Sequence, residues 1–260
     1  MDIEKIIELV KSTRQIIAKQ SELNVEIKGE ADFVTAIDFA ISDFLKCELQ
    51  KLTPEISFLS EEEEGKIADA CWILDPIDGT TNLIYGYNLS SVSLGLYMNG
   101  EIIFGVVYNP FTDELFTAEK GKGAFQNGKP LQVSERKSHE ALIEFGAECT
   151  HKENAEKNFR LACEIFRHCV DIRRICSSAL DFCYIAAGRI DGYFEKVLKP
   201  WDIAAGSLIL QEAGGKLSDF EGKPLQFASP TSVIAGNPAT FDYLLQTIKK
   251  YEVQAYDENE

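Results

Sequence analysis

The run Trp72-Ile73-Leu74-Asp75-Pro76-Ile77-Asp78-Gly79-Thr80-Thr81-Asn82 brings two carboxylates, a glycine and two hydroxyls together at the end of an apolar segment. Such a set suits a cation-assisted phosphate site. Asp75 follows the β-compatible residues Ala70 to Leu74, and Pro76 keeps it extended, which places its carboxylate at a strand end. Asp78 comes three residues later. A tight turn there aims both carboxylates and the Ile77 carbonyl at one point, the all-oxygen environment that hard Mg²⁺ prefers. Gly79 lets the backbone approach a ligand closely. Thr80 and Thr81 open the next segment, whose free N–H groups can hold a phosphate. Taken alone, Asp-x-x-Asp-Gly also reads as an ordinary turn with a threonine cap.

The elements that must position these groups follow from periodicity. Ile3, Ile6, Ile7, Val10, Ile16 and Ile17 predict an amphipathic helix over 2–20, and a second helix after Asp38 carries Ile41, Phe44, Leu45 and Leu52 on one face, with Pro54 as its stop. Residues 56–59 and 70–74 read as short buried strands separated by an acidic loop. Val92, Leu94 and Leu96 alternate with small residues, and strands near 101–108 and 114–118 continue the pattern. Asn99-Gly100 and Asn127-Gly128 supply hairpin turns. Beyond about Val133 the pattern changes to alternating strands and helices: strands near 141–146, 191–195 and 232–236, and helices near 154–168, 178–187, 202–213 and 239–250. The fold class is α+β, an antiparallel first half (1–135) and a mixed α/β second half (136–260), with no linker between them to break a single domain over 1–260.

Composition narrows the function. With 42 acidic and 26 basic residues the chain carries a net charge of −16, which disfavours nucleic acid and anionic membranes as partners. Such acidity suits an enzyme of anionic substrates only if metal ions reverse the local sign. The seven cysteines form no Cys-x-x-Cys pair and are expected as reduced thiols in a cytoplasmic protein. Neither a secretory signal nor a membrane-spanning run is visible.

The eight residues Asp75 to Asn82 resemble the central motif of the inositol monophosphatase family. Upstream, Asp32-Phe33-Val34-Thr35 with Asp38 resembles the Asp-x-Val-Thr element of that family, and Phe58 to Glu62 its Gly-Glu-Glu element, with Ser60 standing where glycine is usual. Downstream, Trp201-Asp202-Ile203-Ala204-Ala205-Gly206 and Glu212-Ala213-Gly214-Gly215 are similar to its second motif, and 173–195 looks closest to bacterial members. The resemblance implies a layered α/β/α/β/α sugar-phosphatase fold, a homodimer, lithium sensitivity, and Mg²⁺-dependent hydrolysis of myo-inositol 1-phosphate or related polyol phosphates by a metal-activated water. Alternatives are a 3′-phosphoadenosine 5′-phosphate phosphatase, a fructose-1,6-bisphosphatase, or an interaction protein that retains the fold.

The same resemblance assigns roles. Glu61, Asp75 and the Ile77 carbonyl hold a first metal; Asp75, Asp78 and Asp202 hold a second; a third is implied near Glu61. Glu61 and Thr80 accept the proton of the attacking water, with Asp38 behind Thr80. Gly79 and Thr80 N–H groups bind the phosphate, and Asp78, Ser177, Ser178, Asp181 and Glu195 face the alcohol. Bland readings stand beside these: Asp202 or Asp38 as helix N-caps, Glu61 as one of a solvated glutamate run, Glu195 as an exposed strand end, Lys28 as a lone surface lysine, and His139, His151 and His168 as surface residues. Cys176 replaces a usual glycine, and acidic surroundings should raise its pKa and keep it unreactive.

Overall fold

The structure, a computed structural model, describes residues 1–19, 24–29, 32–63, 65–147 and 149–257. Gln20, the expected end of the first helix, and Glu64 of the acidic loop lie outside the described residues, as does the side chain of Asp32.

Helices α1 (Ile3–Lys19) and α2 (Ala36–Leu52) form the first layer. Their stripes, Ile6 and Val10 on one and Ile37, Ile41, Leu45 and Leu49 on the other, recur at helical spacing and are fully buried. A hairpin of β1 (Glu26–Gly29) and β2 (Asp32–Val34), not predicted, lies between them in sequence. The second layer is a seven-stranded sheet in chain order: β3 (Ser57–Ser60), β4 (Ala70–Asp78), β5 (Ser91–Met98), β6 (Glu101–Asn109), β7 (Glu114–Glu119), β8 (Ala124–Gln126) and β9 (Lys129–Pro130). Only β3 and β4 run parallel. Asn99-Gly100 and Asn127-Gly128 have positive φ throughout, as hairpin turns of this type require.

Strand β4 is buried on both faces, so its residues sort by parity. Trp72 and Leu74 pack with α1 and α2, whereas Cys71 and Ile73 join the core on the other side. Trp72 also meets Phe104 edge-on at 6.2 Å and donates its indole N–H to Thr53 Oγ1 at 3.0 Å, which ties the end of α2 to the sheet.

The third layer is α5 (Ser178–Ala186) and α6 (Pro200–Glu212), and its residues are apolar nearly all round because sheets cover both sides. The fourth is a five-stranded sheet ordered β11 (Asp171–Arg173), β10 (Leu142–Phe145), β12 (Gly192–Leu198), β14 (Thr231–Gly236) and β13 (Lys216–Ser218). Helices α4 (Ala155–Phe166) and α7 (Pro238–Asp257) close the outer face. This is the expected α/β/α/β/α layering. The edge strands β11 and β13, three residues each, carry too little pattern to be read in advance.

One contact sets the position of the site. Gly95 and Gly105 are paired across β5 and β6, and a Cβ on them would lie 2.9 Å from Ala204 Cβ and 2.7 Å from the Ala205 carbonyl oxygen. Helix α6 therefore lies with its backbone against the sheet, and its first turn is carried to the end of β4.

Candidate active site

Asp75 and Asp78 share a side because β4 is bulged. Asp75 pairs with Ser93 and Asp78 with Ser91, so three steps on β4 match two on β5. The extra residue cancels the alternation that would send side chains three apart to opposite faces. The expected tight turn is thus displaced: β4 continues through Pro76, and the chain turns only at Gly79, whose φ is +87°. Proline is tolerated because β3 stops pairing at Leu74, leaving no partner on that side for a missing N–H.

Glu61 follows β3 directly, its N–H donating to the Leu74 carbonyl at 3.1 Å. Ser60, in place of the usual glycine, is fully buried and accepts the Ser42 hydroxyl at 2.9 Å, so the substitution is satisfied internally. The glutamate run is not simply solvated. Lys28 is 2.7 Å from Glu62 and 3.8 Å from Glu61, and Lys46 is 2.7 Å from Glu63. Lys28 is therefore no lone surface lysine; it balances this acidic corner.

Asp202 is the third residue of α6, behind Pro200 at the start, and its carboxylate accepts the Lys199 N–H at 2.7 Å. Asp38 holds the same place in α2: the N-cap is Thr35, and Asp38 Oδ2 accepts both the Thr35 N–H at 2.8 Å and its hydroxyl at 2.6 Å. Neither aspartate is an N-cap, which corrects that reading for both. Asp38 also lies inside α2, not before it. Its free oxygen, Oδ1, lies 3.4 Å from the Thr80 hydroxyl, which also donates to the Ile77 carbonyl at 3.0 Å.

Asp78 is held from behind. Oδ2 accepts the Ser177 hydroxyl at 2.5 Å and the Ala179 N–H at 2.9 Å, and Oδ1 is 3.4 Å from Ser178 Oγ. The two serines, buried at the head of α5, are turned toward this carboxylate. Helix α3 (Thr80–Ile84) begins at the same corner, with the Leu83 N–H on the Gly79 carbonyl, so the N–H groups of Gly79 and Thr80 precede its first internal bond.

Together these groups floor a cleft of about 300 Å³ whose walls include Glu61, Asp75, Asp78, Gly79, Thr80, Asp181, Tyr193, Glu195 and Asp202. Glu195 is a pocket residue and not merely a strand end. Its carboxylate occupies the space that a Cβ at Gly146 would need, 1.9 Å away, and it accepts the Tyr193 hydroxyl. Asp181 is buried, with one oxygen unpartnered. His151 reaches the rim, while His139 and His168 line a separate groove. Arg174, available from the sequence as a basic residue for a second phosphate, lines the cleft; sequence reasoning missed Cys149, which lines it too, and the neighbouring buried Glu144, since no motif marks them. Cys176 is indeed raised, above all by its hydrogen bond to Cys149 rather than by acidic neighbours, whereas Cys149 is lowered by that same bond and by Arg174.

Burial, then the neighbouring carboxylates, raises Asp75 well above the usual carboxylate range. Asp202 is raised well by burial, then by Glu61. Burial also lifts Asp38 to about 6, Asp78 to about 6 and Glu61 to about 7. Because folding favours the protonated forms, these groups stabilise the fold at acid pH and lose that contribution as pH rises through 6 to 7. Stripped of divalent cations, the protein is expected to melt several degrees higher at about pH 5.5 than at about pH 8, and added Mg²⁺ should shrink the difference. A melting temperature equal at both pH values would contradict this electrostatic reading.

The residues fit a hard cation. Asp75 Oδ1 is buried without a hydrogen-bond partner, and all the surrounding donors are oxygens. Among the described residues no three such side chains already enclose one metal-sized point, since Asp78, Asp202 and Glu61 are turned to Ser177, Lys199 and Lys28.

The sequence model of the inositol monophosphatase family matches residues 2–252. The chain belongs to that family. A Mesorhizobium japonicum protein named inositol-1-monophosphatase is 41% identical over 234 residues, 88% of this chain and 87% of the relative. Nus factor SuhB of Escherichia coli K12 is 37% identical over 242 residues, 90% of each. Among solved structures, the Thermotoga maritima IMPase superimposes with a TM-score of 0.89 at 33% identity, covering 98% of this chain and 99% of that one. An IMPase/NADP phosphatase complexed with Mg²⁺ and phosphate gives 0.86 at 27% identity, covering 94% of each. This chain is thus a phosphatase of the inositol monophosphatase superfamily, a family generally dependent on Mg²⁺. Among the described residues no helix is long and apolar enough to cross a membrane.

Proposed function

We propose that the chain is a Mg²⁺-dependent phosphomonoesterase acting on myo-inositol 1-phosphate and related polyol phosphates. The observation that carries this is the unpartnered Asp75 oxygen on the floor of the cleft, ringed by Glu61, Asp78 and Asp202 and adjoining the Gly79–Thr80 corner. Glu61, Asp75 and the Ile77 carbonyl would hold one Mg²⁺, and Asp75, Asp78 and Asp202 a second; a third would bind near Glu61. Bound there, the ions supply charge neutralisation and acidify water. The Gly79 and Thr80 N–H groups orient the phosphate. Thr80 and Glu61 take up the proton of the attacking water, Thr80 being kept in place by Asp38 Oδ1 and the Ile77 carbonyl. Ser177 and Ser178 fix Asp78, and the alcohol end meets Asp181 and Glu195.

That acidic wall favours a substrate rich in hydroxyl donors over one with a second phosphate. Arg174 and Lys199 also line the cleft, however, so bisphosphates belong in the test. Initial rates of phosphate release from inositol 1-phosphate, 3′-phosphoadenosine 5′-phosphate and fructose 1,6-bisphosphate are expected to favour the first. Preference for either bisphosphate would overturn the substrate assignment. Glu195→Gln should raise the KM for inositol 1-phosphate about tenfold with little change in kcat, the cost of one charge-assisted hydrogen bond.

A second reading draws on the relatives named Nus factor SuhB. A role in binding a macromolecule would survive loss of catalysis, so a cellular effect retained by Asp75→Asn would belong to binding. We also place the protein in the cytoplasm as a homodimer. All seven cysteines are unpaired, in keeping with a reducing compartment, and light scattering tests the dimer.

A further inference from the structure

Two cysteines far apart in sequence meet at the mouth of the cleft. Cys149 and Cys176 both line it, both are exposed, they follow the paired ends of the neighbouring parallel strands β10 and β11, and each thiol shifts the titration of the other. Arg174 Nη2 stands 3.5 Å from Cys149 Sγ, and its guanidinium is seated over the Phe145 and Phe159 rings at 5.4 and 6.0 Å. Cys176 adopts a φ of +57°, a left-handed conformation uncommon for a side chain with a Cβ, and the next residue is Ser177, which holds Asp78. A thiol pair beside a fixed cation, on the loop that positions a site carboxylate, has the makings of a modification site.

We propose that a peroxide oxidises Cys149 and Cys176 to a disulfide at the rim of the cleft. The bond to Cys176 and the Arg174 charge favour the Cys149 thiolate, the nucleophile that peroxide chemistry needs. Its sulfur attacks one peroxide oxygen; the O–O bond breaks, and the departing hydroxide takes a proton from solvent to become water, leaving a sulfenic acid. The Cys176 sulfur then attacks the Cys149 sulfur. The S–O bond breaks, and the leaving hydroxide takes the Cys176 proton as a second water. The peroxide has been reduced by two electrons and the thiol pair oxidised by two.

The bridge ties the Ser177 loop to the segment that follows β10, the strand paired with β11. If the phosphatase reading above holds, activity should fall about 10- to 100-fold, because small displacements of positioning groups carry penalties of that size. Arg174 and Ser177 are shifted, and through Ser177 the bridge reaches Asp78.

The test exposes the reduced protein to hydrogen peroxide, blocks remaining thiols by alkylation, and maps cross-linked peptides by mass spectrometry. A single link between Cys149 and Cys176, a loss of two hydrogens, and activity restored by dithiothreitol are expected. Cys149→Ser should form no link and keep its activity in peroxide. Cys176→Gly, which suits the positive φ, should also form none. A different cysteine pairing, no link, or sulfinic acid at Cys149 without a link would overturn the proposal, as would peroxide inhibition that persists in Cys149→Ser. If the link forms in a protein that releases no phosphate from any substrate, the modification site stands and the phosphatase reading fails instead.

Discussion

Asp75→Asn is expected to lower kcat/KM for phosphate release by about a thousandfold or more while leaving the fold intact. Asp75 is the one carboxylate assigned to both ions, and loss of a Lewis-acid centre costs several kcal/mol at about 1.4 kcal/mol per tenfold in rate. The same substitution should act oppositely on stability. Asp75 is buried among Glu61, Asp78 and Asp202, so in the absence of cations its charge is repelled from every side. Removing it should raise the melting temperature of the cation-free protein at about pH 8 and abolish most of the rise that Mg²⁺ gives the wild type. Melting curves with and without Mg²⁺, beside steady-state kinetics, check both halves. A variant within tenfold of wild-type activity would show that Asp75 is not the shared ligand.

Thr80→Ala should reduce kcat by about a hundred- to a thousandfold, the usual reach of a positioned proton acceptor, with little effect on melting because the side chain is only half-buried. Thr80→Ser should recover most of the loss, since the hydroxyl that meets Ile77 and Asp38 is kept. Asp38 is assigned to act through Thr80. Asp38→Asn should therefore slow the wild type yet add nothing to the Thr80→Ala defect. Additive losses in the double variant would give Asp38 a separate role. Equal activity of Thr80→Ala and wild type would leave Glu61 as the acceptor.

Much of this arrangement was legible because burial imposes periodicity. The stripes of α1 and α2, the parity of β5 and the all-apolar α6 each advertise how many sides are covered, and Asn-Gly pairs announce their turns. What stayed hidden depends on contacts between distant segments. The bulge that brings Asp75 and Asp78 to one side is a register mismatch with β5, and nothing in Asp-Pro-Ile-Asp specifies which strand will be the partner. Local sequence likewise offered Asp38 and Asp202 as N-caps, because a residue three positions into a helix can bond back to the same N–H that a cap leaves exposed. Ser177 and Ser178 were read against the alcohol, and their hydroxyls are turned to Asp78. The pairing of Cys149 with Cys176 has no local signature at all. Only the pairing of β10 with β11 sets the segments that follow them side by side at one cleft.

Phosphate release from inositol 1-phosphate, followed while chelator-stripped protein is titrated with Mg²⁺, tests the central claim most directly. Activity should be absent in chelator, appear with Mg²⁺, and rise with more than first-order dependence on the ion, as a site filled by at least two requires. Full activity in the presence of chelator would contradict the carboxylate cluster as a metal-dependent phosphatase centre.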